Sequence, residues 1–349
     1  MRKGILLVNL GTPDSPAVRD VRKYLAEFLM DERVIDIHPL WRFLLVRGII
    51  VPFRGPKSAS LYREIWNERI GSPLLHFSNL QRQLLKLELG NGYAVELGMR
   101  YQYPSIELAL NKLKAAGVDS ITVIPLFPQY ASATTGSVIA EVMRVMRRWP
   151  NILPVSIRGA FYDQPLFIKA VAEKARLYHR DSYDHVLFSF HGLPEKQLRS
   201  CDPSGTHCLQ RKKCCAVLSE KNRHCYAAQC HETARLIAAQ IQLNTSGYSV
   251  CFQSRLGKQE WLKPYTTDTI RQLAVSGTKR LLVICPAFVS DCLETLHEIG
   301  VEYREEFIAA GGEHLQLVES LNGSHLFTQM LRALVTEIGA PVLPETFTV

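Results

Sequence analysis

No stretch of the chain approaches the roughly 18 to 20 apolar residues that a bilayer-spanning helix needs, which argues against an integral membrane protein. At the start, Arg2-Lys3 leads only into Ile5-Leu6-Leu7-Val8 before Asn9. That run is too short for a secretory signal core and has no small-residue cleavage site, so a cytoplasmic chain is expected. There is no His-Glu-x-x-His run and no Walker-type glycine loop, and Gly11-Thr12-Pro13 is not a dinucleotide fingerprint. These absences speak against a zinc protease and a nucleoside triphosphatase. An acidic excess is lacking too: 41 Lys and Arg stand against 33 Asp and Glu, a net charge of +8, which suits an anionic ligand, an anionic surface or nucleic acid equally well. What is present is globular in composition, with 349 residues, 47% hydrophobic and 21% charged, enough for about two domains.

Three features of the first half recur in order in the second. Gly4-Ile5-Leu6-Leu7-Val8-Asn9 runs into Leu10-Gly11-Thr12-Pro13, and His185-Val186-Leu187-Phe188-Ser189-Phe190 runs into His191-Gly192-Leu193-Pro194. Gly98-Met99-Arg100-Tyr101 is echoed by Phe252-Gln253-Ser254-Arg255, and the segment from Gly117 to Phe127 by that from Gly277 to Phe288. Such ordered echoes point to a duplicated unit. Short β-branched runs alternate with amphipathic stretches such as Ile106 to Ala116 and Gln164 to His179, the pattern of parallel sheets covered by helices. The expected fold is therefore α/β, with two similar doubly wound Rossmann-like domains and a cleft between them, residues 1–160 and 161–324. The segment 325–349, helical from His325 to Ile338, is expected to pack back on the first. Ligands of such sheets bind beyond the carboxyl ends of the strands, where Gly11, Pro125, His191 and Pro286 fall.

His191 ends a buried strand, a position suited to a structural hydrogen bond, a metal ligand or a base. In the second half, Asp291, Glu294 and Glu298 are spaced i, i+3, i+7, one acidic stripe of an α-helix. The ordinary reading of that stripe is a solvated helix surface. A histidine facing carboxylates across a cleft also suits two jobs, holding a divalent metal such as iron(II) and passing protons. Arg54, Arg100 and Arg255 are candidates to hold carboxylates of a ligand.

Eight ordered motifs then resemble one family, and the likeness runs from residue 4 to about 338. They are Asn9-Leu10-Gly11-Thr12-Pro13, Gly71-Ser72-Pro73, Gly98-Met99-Arg100-Tyr101, Pro128-Gln129-Tyr130 with Thr134-Thr135-Gly136-Ser137, Ser189 to Pro194, Phe252 to Arg255, Trp261-Leu262, and Asp291 to Leu296. Together they resemble the ferrochelatases, lyases that insert iron(II) into protoporphyrin IX as the terminal step of haem biosynthesis. The resemblance implies that His191 is the metal-site histidine and pyrrole-proton acceptor, with Glu294 its partner across the macrocycle. Asp291 and Glu298 would continue a path for protons or metal, and Leu10, Arg54, Tyr62, Ser72, Tyr130 and Trp261 would line the porphyrin pocket. The substrates implied are protoporphyrin IX and ferrous iron, with no nucleic acid. A chelatase for coproporphyrin or another tetrapyrrole, and a non-catalytic porphyrin or redox sensor, stay open.

Five cysteines, Cys201, Cys208, Cys214, Cys215 and Cys225, crowd into one insert beside Arg211, Lys212 and Lys213. Thiolates are soft ligands and basic neighbours lower their pKa, so a metal site is expected. Paired Cys-x-x-Cys knuckles, common in structural zinc sites, are missing. Some ferrochelatases carry a [2Fe-2S] cluster, and this chain resembles those with an internal cysteine-rich segment, here 201–230. The ligands so implied are Cys201, Cys208, Cys215 and Cys225, with Cys214 the alternative to its neighbour because adjacent residues point differently. Cys230, Cys251, Cys285 and Cys292 read as ordinary buried thiols. Finally, residues 41–53, Trp41 to Phe53, are apolar with two arginines, too short to span a bilayer but suited to an interfacial lip. Peripheral contact with the cytoplasmic membrane face is expected there; a helix packed on the core is the ordinary reading.

Overall fold

The computed structural model describes residues 2–336 apart from Lys212, Leu256 and Lys258. The first half runs β1 (Lys3–Gly11), α1 (Val18–Leu29), α2 (Pro39–Phe43), a π-helical segment (Leu44–Ile50), α3 (Val51–Ile65), α4 (Pro73–Leu89), β2 (Tyr93–Tyr101), α5 (Ile106–Ala115), β3 (Ser120–Pro125), α6 (Ser137–Met146) and β4 (Val155–Ile157). The second runs α7 (Pro165–Arg176), β5 (His185–His191), α8 (Glu195–Ser200), α9 (Tyr226–Gln240), β6 (Tyr248–Gln253), α10 (Thr266–Val275), β7 (Arg280–Ile284), a further π-helical segment (Glu294–Tyr303), α11 (Arg304–Ala309), β8 (His314–Leu317) and α12 (His325–Thr336). Local chemistry sets several of these ends. Ser105 caps α5 by accepting from Leu108 N at 3.2 Å, and Gly90 stops α4 in a left-handed turn with φ 70°.

Two four-stranded sheets result, ordered β2-β1-β3-β4 and β6-β5-β7-β8, and every strand pairing is parallel. The two orders are the same order, so the echo in sequence is an echo in topology. Strand register makes it residue-specific. Leu7 pairs with Ile124 as Phe188 pairs with Ile284, which sets Leu10 opposite in role to His191 and Gly11 to Gly192. Asn9 pairs with Met99 as Phe190 pairs with Phe252, and Met99 N donates to Pro104 O (2.6 Å) as Phe252 N donates to Pro264 O (2.9 Å). The structural counterpart of Phe252 is thus Met99, not Gly98, one residue along from the motif pairing above, and Arg100 corresponds to Gln253.

Because side chains alternate along a strand, each sheet feeds two cores. Leu6 and Val8 of β1 face a cluster private to the first half, with Ile106, Leu110 and Val142. Leu187 of β5 faces another, with Ile270, Ile299 and Phe307. Ile5 and Leu7 share one continuous core with Phe188, Phe190, Phe252, Phe327 and Leu331. The two sheets therefore meet through a common interior. The loop between β4 and α7 carries the expected boundary at 160/161. α12 lies against both α4 and α7, and residues 337–349 of the expected C-terminal segment lie outside the described residues. No helix among the described residues is long and apolar enough to cross a membrane.

Candidate functional site

Gly11, Pro125 and His191 are the last residues of β1, β3 and β5, and Pro286 lies two residues past the end of β7. All four thus gather at the carboxyl ends of the sheets. Both strand-end glycines are forced by close approach. A Cβ on Gly11, whose φ is +120°, would lie 2.0 Å from Tyr101 O, and one on Gly192 would lie 2.8 Å from Gln253 O.

His191 is half-buried, its ring 6.4 Å from both Trp261 and Phe288. Its Nδ1 lies 2.6 Å from Gly192 O. A carbonyl only accepts, so Nδ1 carries the proton and Nε2 keeps its lone pair. The main chain beside it is fixed from two sides, by Tyr226 Oη donating to His191 O (2.8 Å) and Gly192 N donating to Gln253 O (2.8 Å).

Gln253 connects this histidine to the acidic segment. It pairs with His191 across β5 and β6, accepts from Ser189 Oγ (2.8 Å), and donates from Nε2 to Glu294 O (2.9 Å) and Glu298 Oε2 (3.0 Å). Glu298 also accepts from Ser254 N (2.8 Å), Ser254 Oγ (2.5 Å) and Tyr303 Oη (2.7 Å). Its carboxylate is saturated, and anything that binds it must displace a donor. Glu294 stands where the halves meet, with Tyr24 of α1 and Tyr62 of α3 close by, their rings edge to face at 6.3 Å. Burial first, and then the Glu294 charge for Tyr24 and the Tyr24 phenol ahead of Glu294 for Tyr62, push both phenols well above their ordinary pKa, so they face that carboxylate as neutral hydroxyls.

The acidic stripe differs from its α-helical expectation. The segment from Glu294 to Tyr303 is π-helical, each N–H reaching back five residues, so side chains four apart share a face. Glu294, Glu298 and Glu302 form the line, and Glu302 is a member that the i, i+4 spacing of an ordinary α-helix would also have indicated. Asp291 precedes the segment and leaves the line. It is buried, accepting from Ser320 N (3.0 Å) and Asn322 Nδ2 (2.7 Å), while its own N–H donates to Asn322 Oδ1 (3.0 Å). Asp291 is thus an anchor for the loop before α12, not an open relay.

Of the remaining candidates, Trp261 and Tyr62 are buried, Leu10 and Tyr130 half-buried, and Arg54 exposed on α3. Ser72 is buried, its hydroxyl donating to Thr12 Oγ1 at 2.9 Å. Arg100 is not free to clamp a ligand: it donates to Asp31 (2.7 Å) and Ser137 Oγ (2.6 Å). Arg255 is exposed, its guanidinium 4.7 Å from the Tyr265 ring centre.

Comparison with known proteins decides the family. The ferrochelatase family model matches residues 2–338. The chain belongs to the ferrochelatase family. It is accordingly a metal chelatase, a lyase that puts iron into a porphyrin. It is 44% identical over 339 residues to the ferrochelatase of Legionella pneumophila strain Lens, covering 97% of this chain and 99% of that one. Against the ferrochelatase of Pseudomonas fluorescens strain Pf0-1 it is 47% identical over 335 residues, 95% and 96% of the two chains. Among solved structures, SirB from Bacillus subtilis with Fe3+ shares the fold at a TM-score of 0.50 and 13% identity, with 96% of each chain covered.

In this ferrochelatase the cysteine insert folds as loops between α8 and α9. Cys214 and Cys215 sulfurs lie 3.4 Å apart, and Cys215 and Cys225 sulfurs 3.8 Å. The neighbours Cys214 and Cys215 therefore converge rather than diverge, and Lys213 just before them has a left-handed φ of 57°. Cys225 is the N-cap of α9, and the Cys215 thiol and the N–H groups of Ala228 and Ala227 pull its pKa down to about 6 against burial. Burial and the Cys225 charge push Cys208 up to about 12. Beside it both ring nitrogens of His207 are buried without a hydrogen-bond partner. Among the described residues, no group of three or more His, Cys, Asp or Glu stands in metal-holding geometry, so these thiols are gathered without being closed into a cage. Cys230, Cys251, Cys285 and Cys292 are buried in the cores, and Cys230 sits inside α9 rather than at its start.

Proposed function

We propose that the chain inserts ferrous iron into protoporphyrin IX, forming protohaem and releasing two protons, with His191 on one face of the macrocycle and Glu294 on the other. The supporting observation is the linkage of an imidazole with a free Nε2 lone pair, through Gln253, to the Glu294, Glu298 and Glu302 line. A flat porphyrin points its nitrogens inward and two of them carry protons, so the ring must be bent before iron can enter. Binding energy from the rest of the macrocycle supplies that strain, and on this reading Leu10, Tyr62, Tyr130 and Trp261 provide it. His191 Nε2 accepts a pyrrole proton, and the carboxylate line attracts the incoming cation and carries charge outward. Arg54 and Arg255, exposed at the rim, hold the propionates. Anaerobic mixing with iron(II) and protoporphyrin IX tests this by loss of porphyrin fluorescence. Loss beyond one equivalent is expected; binding of one equivalent without metallation, together with turnover of coproporphyrin, would overturn the substrate assignment.

The insert is read as the holder of a [2Fe-2S] cluster, bound by Cys208, Cys225, Cys201 and one of Cys214 and Cys215. A tetrahedral metal with bonds of about 2.3 Å to sulfur needs sulfurs about 3.8 Å apart, which the Cys215 and Cys225 pair meets. The lowered Cys225 pKa and the unpartnered His207 nitrogens favour a charged group there. When bound, such a cluster cross-links the insert through iron–thiolate bonds. Anaerobic purification should give visible charge-transfer absorption with iron and sulfide in equal amounts; zinc in their place would overturn it.

The lip from Trp41 to Phe53 is read as a peripheral membrane contact. Trp41, Phe43, Leu44, Ile49 and Phe53 are exposed, while Val46 and Val51 hold the segment to the core. Absence of binding to anionic liposomes at low salt would refute it.

A further inference from the structure

A groove of about 840 Å³ opens between α1 and the first π-helical segment, and of the residues expected to meet the cleft ligand its lining includes Arg100 alone, which Asp31 already holds. One wall is a face of α1 carrying Arg19, Arg22 and Lys23; the other carries Phe43, Arg47 and Val51. Arg100 and Asp31, also in the lining, neutralise each other, and the remaining carboxylate of the lining, Glu27, accepts from Gln102 N at 3.1 Å. Lys23 is paired with Asp14 at 2.9 Å, and Arg22 donates to Pro52 O at 3.1 Å. Arg19 and Arg47 are exposed and, among the described residues, make no ion pair or hydrogen bond. Behind the groove α1 and α3 pack closely: a Cβ on Gly55 of α3 would lie 2.5 Å from Arg22 Cγ.

Its rim is apolar. Of the sixteen exposed large hydrophobic side chains among the described residues, seven fall between Ile37 and Phe53, and Phe43 belongs to both rim and wall. Concentration of this kind marks an interaction surface rather than ordinary scatter. A free phosphate would gain nothing from such a rim. A ligand with an anionic head and a hydrocarbon body would use both parts.

We propose that this groove seats the phosphate of an anionic phospholipid, gripped by Arg19 and Arg47, while Trp41 and Phe53 enter the acyl boundary. The proposal deepens the membrane reading of the lip and rests on it. It gives that contact a headgroup preference and an orientation.

The test uses the full chain with phosphatidylcholine vesicles, with and without phosphatidylglycerol, at low ionic strength. Wild type should prefer the anionic vesicles. Each cation near the surface accounts for about fivefold in affinity, so R19Q/R47Q should lose that preference by roughly 25-fold. R19K/R47K should keep it, and turnover of detergent-dispersed porphyrin should be unchanged in both. W41S/F53S should weaken binding to either vesicle. If R19Q/R47Q retains the preference while W41S/F53S loses binding, the headgroup site is overturned and the lip stands. If wild type binds neither vesicle, both fall. Calorimetric titration with inorganic phosphate adds a further arm: micromolar binding dependent on Arg19 and Arg47, without vesicle binding, would assign the groove to a free anion and overturn the lipid.

Discussion

The two halves of this ferrochelatase build the same corner twice and load it differently. At the end of β1 the corner holds Leu10 and Gly11; at the end of β5 it holds His191 and Gly192. On the neighbouring strand, Arg100 of the first half and Gln253 of the second occupy corresponding places, and each reaches a carboxylate from a nearby segment. Arg100 meets Asp31 and cancels its charge. Gln253, Ser254 and Tyr303 hold Glu298 with neutral donors and leave its charge intact. The same backbone thus gives one apolar, electrically quiet corner and one with a lone pair and an uncancelled anion. On the function proposed above, a cation is drawn to the second and the first holds the ring.

The sharpest way to break this asymmetry is to remove the lone pair. His191→Ala should lower metallation by at least about a hundredfold, the usual scale for losing a positioned base, while porphyrin binding followed by fluorescence persists. Leu10→Ala at the matching corner should instead raise KM several-fold with kcat nearly unchanged. Next comes the charge. Glu298→Gln should cut kcat about tenfold or more, because the anion is lost and the new amide nitrogen faces two donors that a carboxylate oxygen had accepted; Asp31→Asn should leave kcat within about twofold. The glycines come third. Gly11→Ala meets a backbone carbonyl and a left-handed φ together, so it should destabilise by about 3 kcal/mol or more in urea unfolding. Gly192→Ala meets the Gln253 carbonyl at 2.8 Å and the Trp261 ring at 3.2 Å without a left-handed φ, and a smaller loss of about 1–2 kcal/mol is expected.

The smallest effect is a pH dependence. Burial disfavours the Asp31 carboxylate, but Ser137, the Arg33 N–H, Arg100 and Tyr101 outweigh it and hold its pKa below the ordinary value. A depressed folded pKa means stability that is present above the unfolded value near 3.9 and is lost as pH falls through the folded one. Asp31→Asn should therefore destabilise by about 1–3 kcal/mol at neutral pH, with the difference from wild type shrinking below about pH 4 in melting curves.

The duplication and the strand ends were legible in the sequence because they are carried by short, periodic runs. What escaped was non-local or fine in register. The donors to Glu298 include Ser254, 44 positions away, and no spacing rule reaches that far. Asp291 left the stripe because the helical segment begins only at Glu294 and the distant Ser320 and Asn322 take its carboxylate. Arg100 reads as a free cation until the fold brings Asp31 against it, 69 residues away. Cys214 and Cys215 converge through a left-handed turn at Lys213 that a non-glycine residue does not advertise.

The interior shared by Ile5, Leu7, Phe188, Phe190 and Phe327 sets a mechanical limit on the molecule. Two copies of a unit with separate cores could swing about a hinge, open like jaws and be expressed apart. Here any such gape would tear a continuous apolar layer, so the halves should melt in a single cooperative transition. Neither should fold when severed near residue 160. Exchange of so large a flat substrate then falls to local give at the rim rather than to movement of the halves.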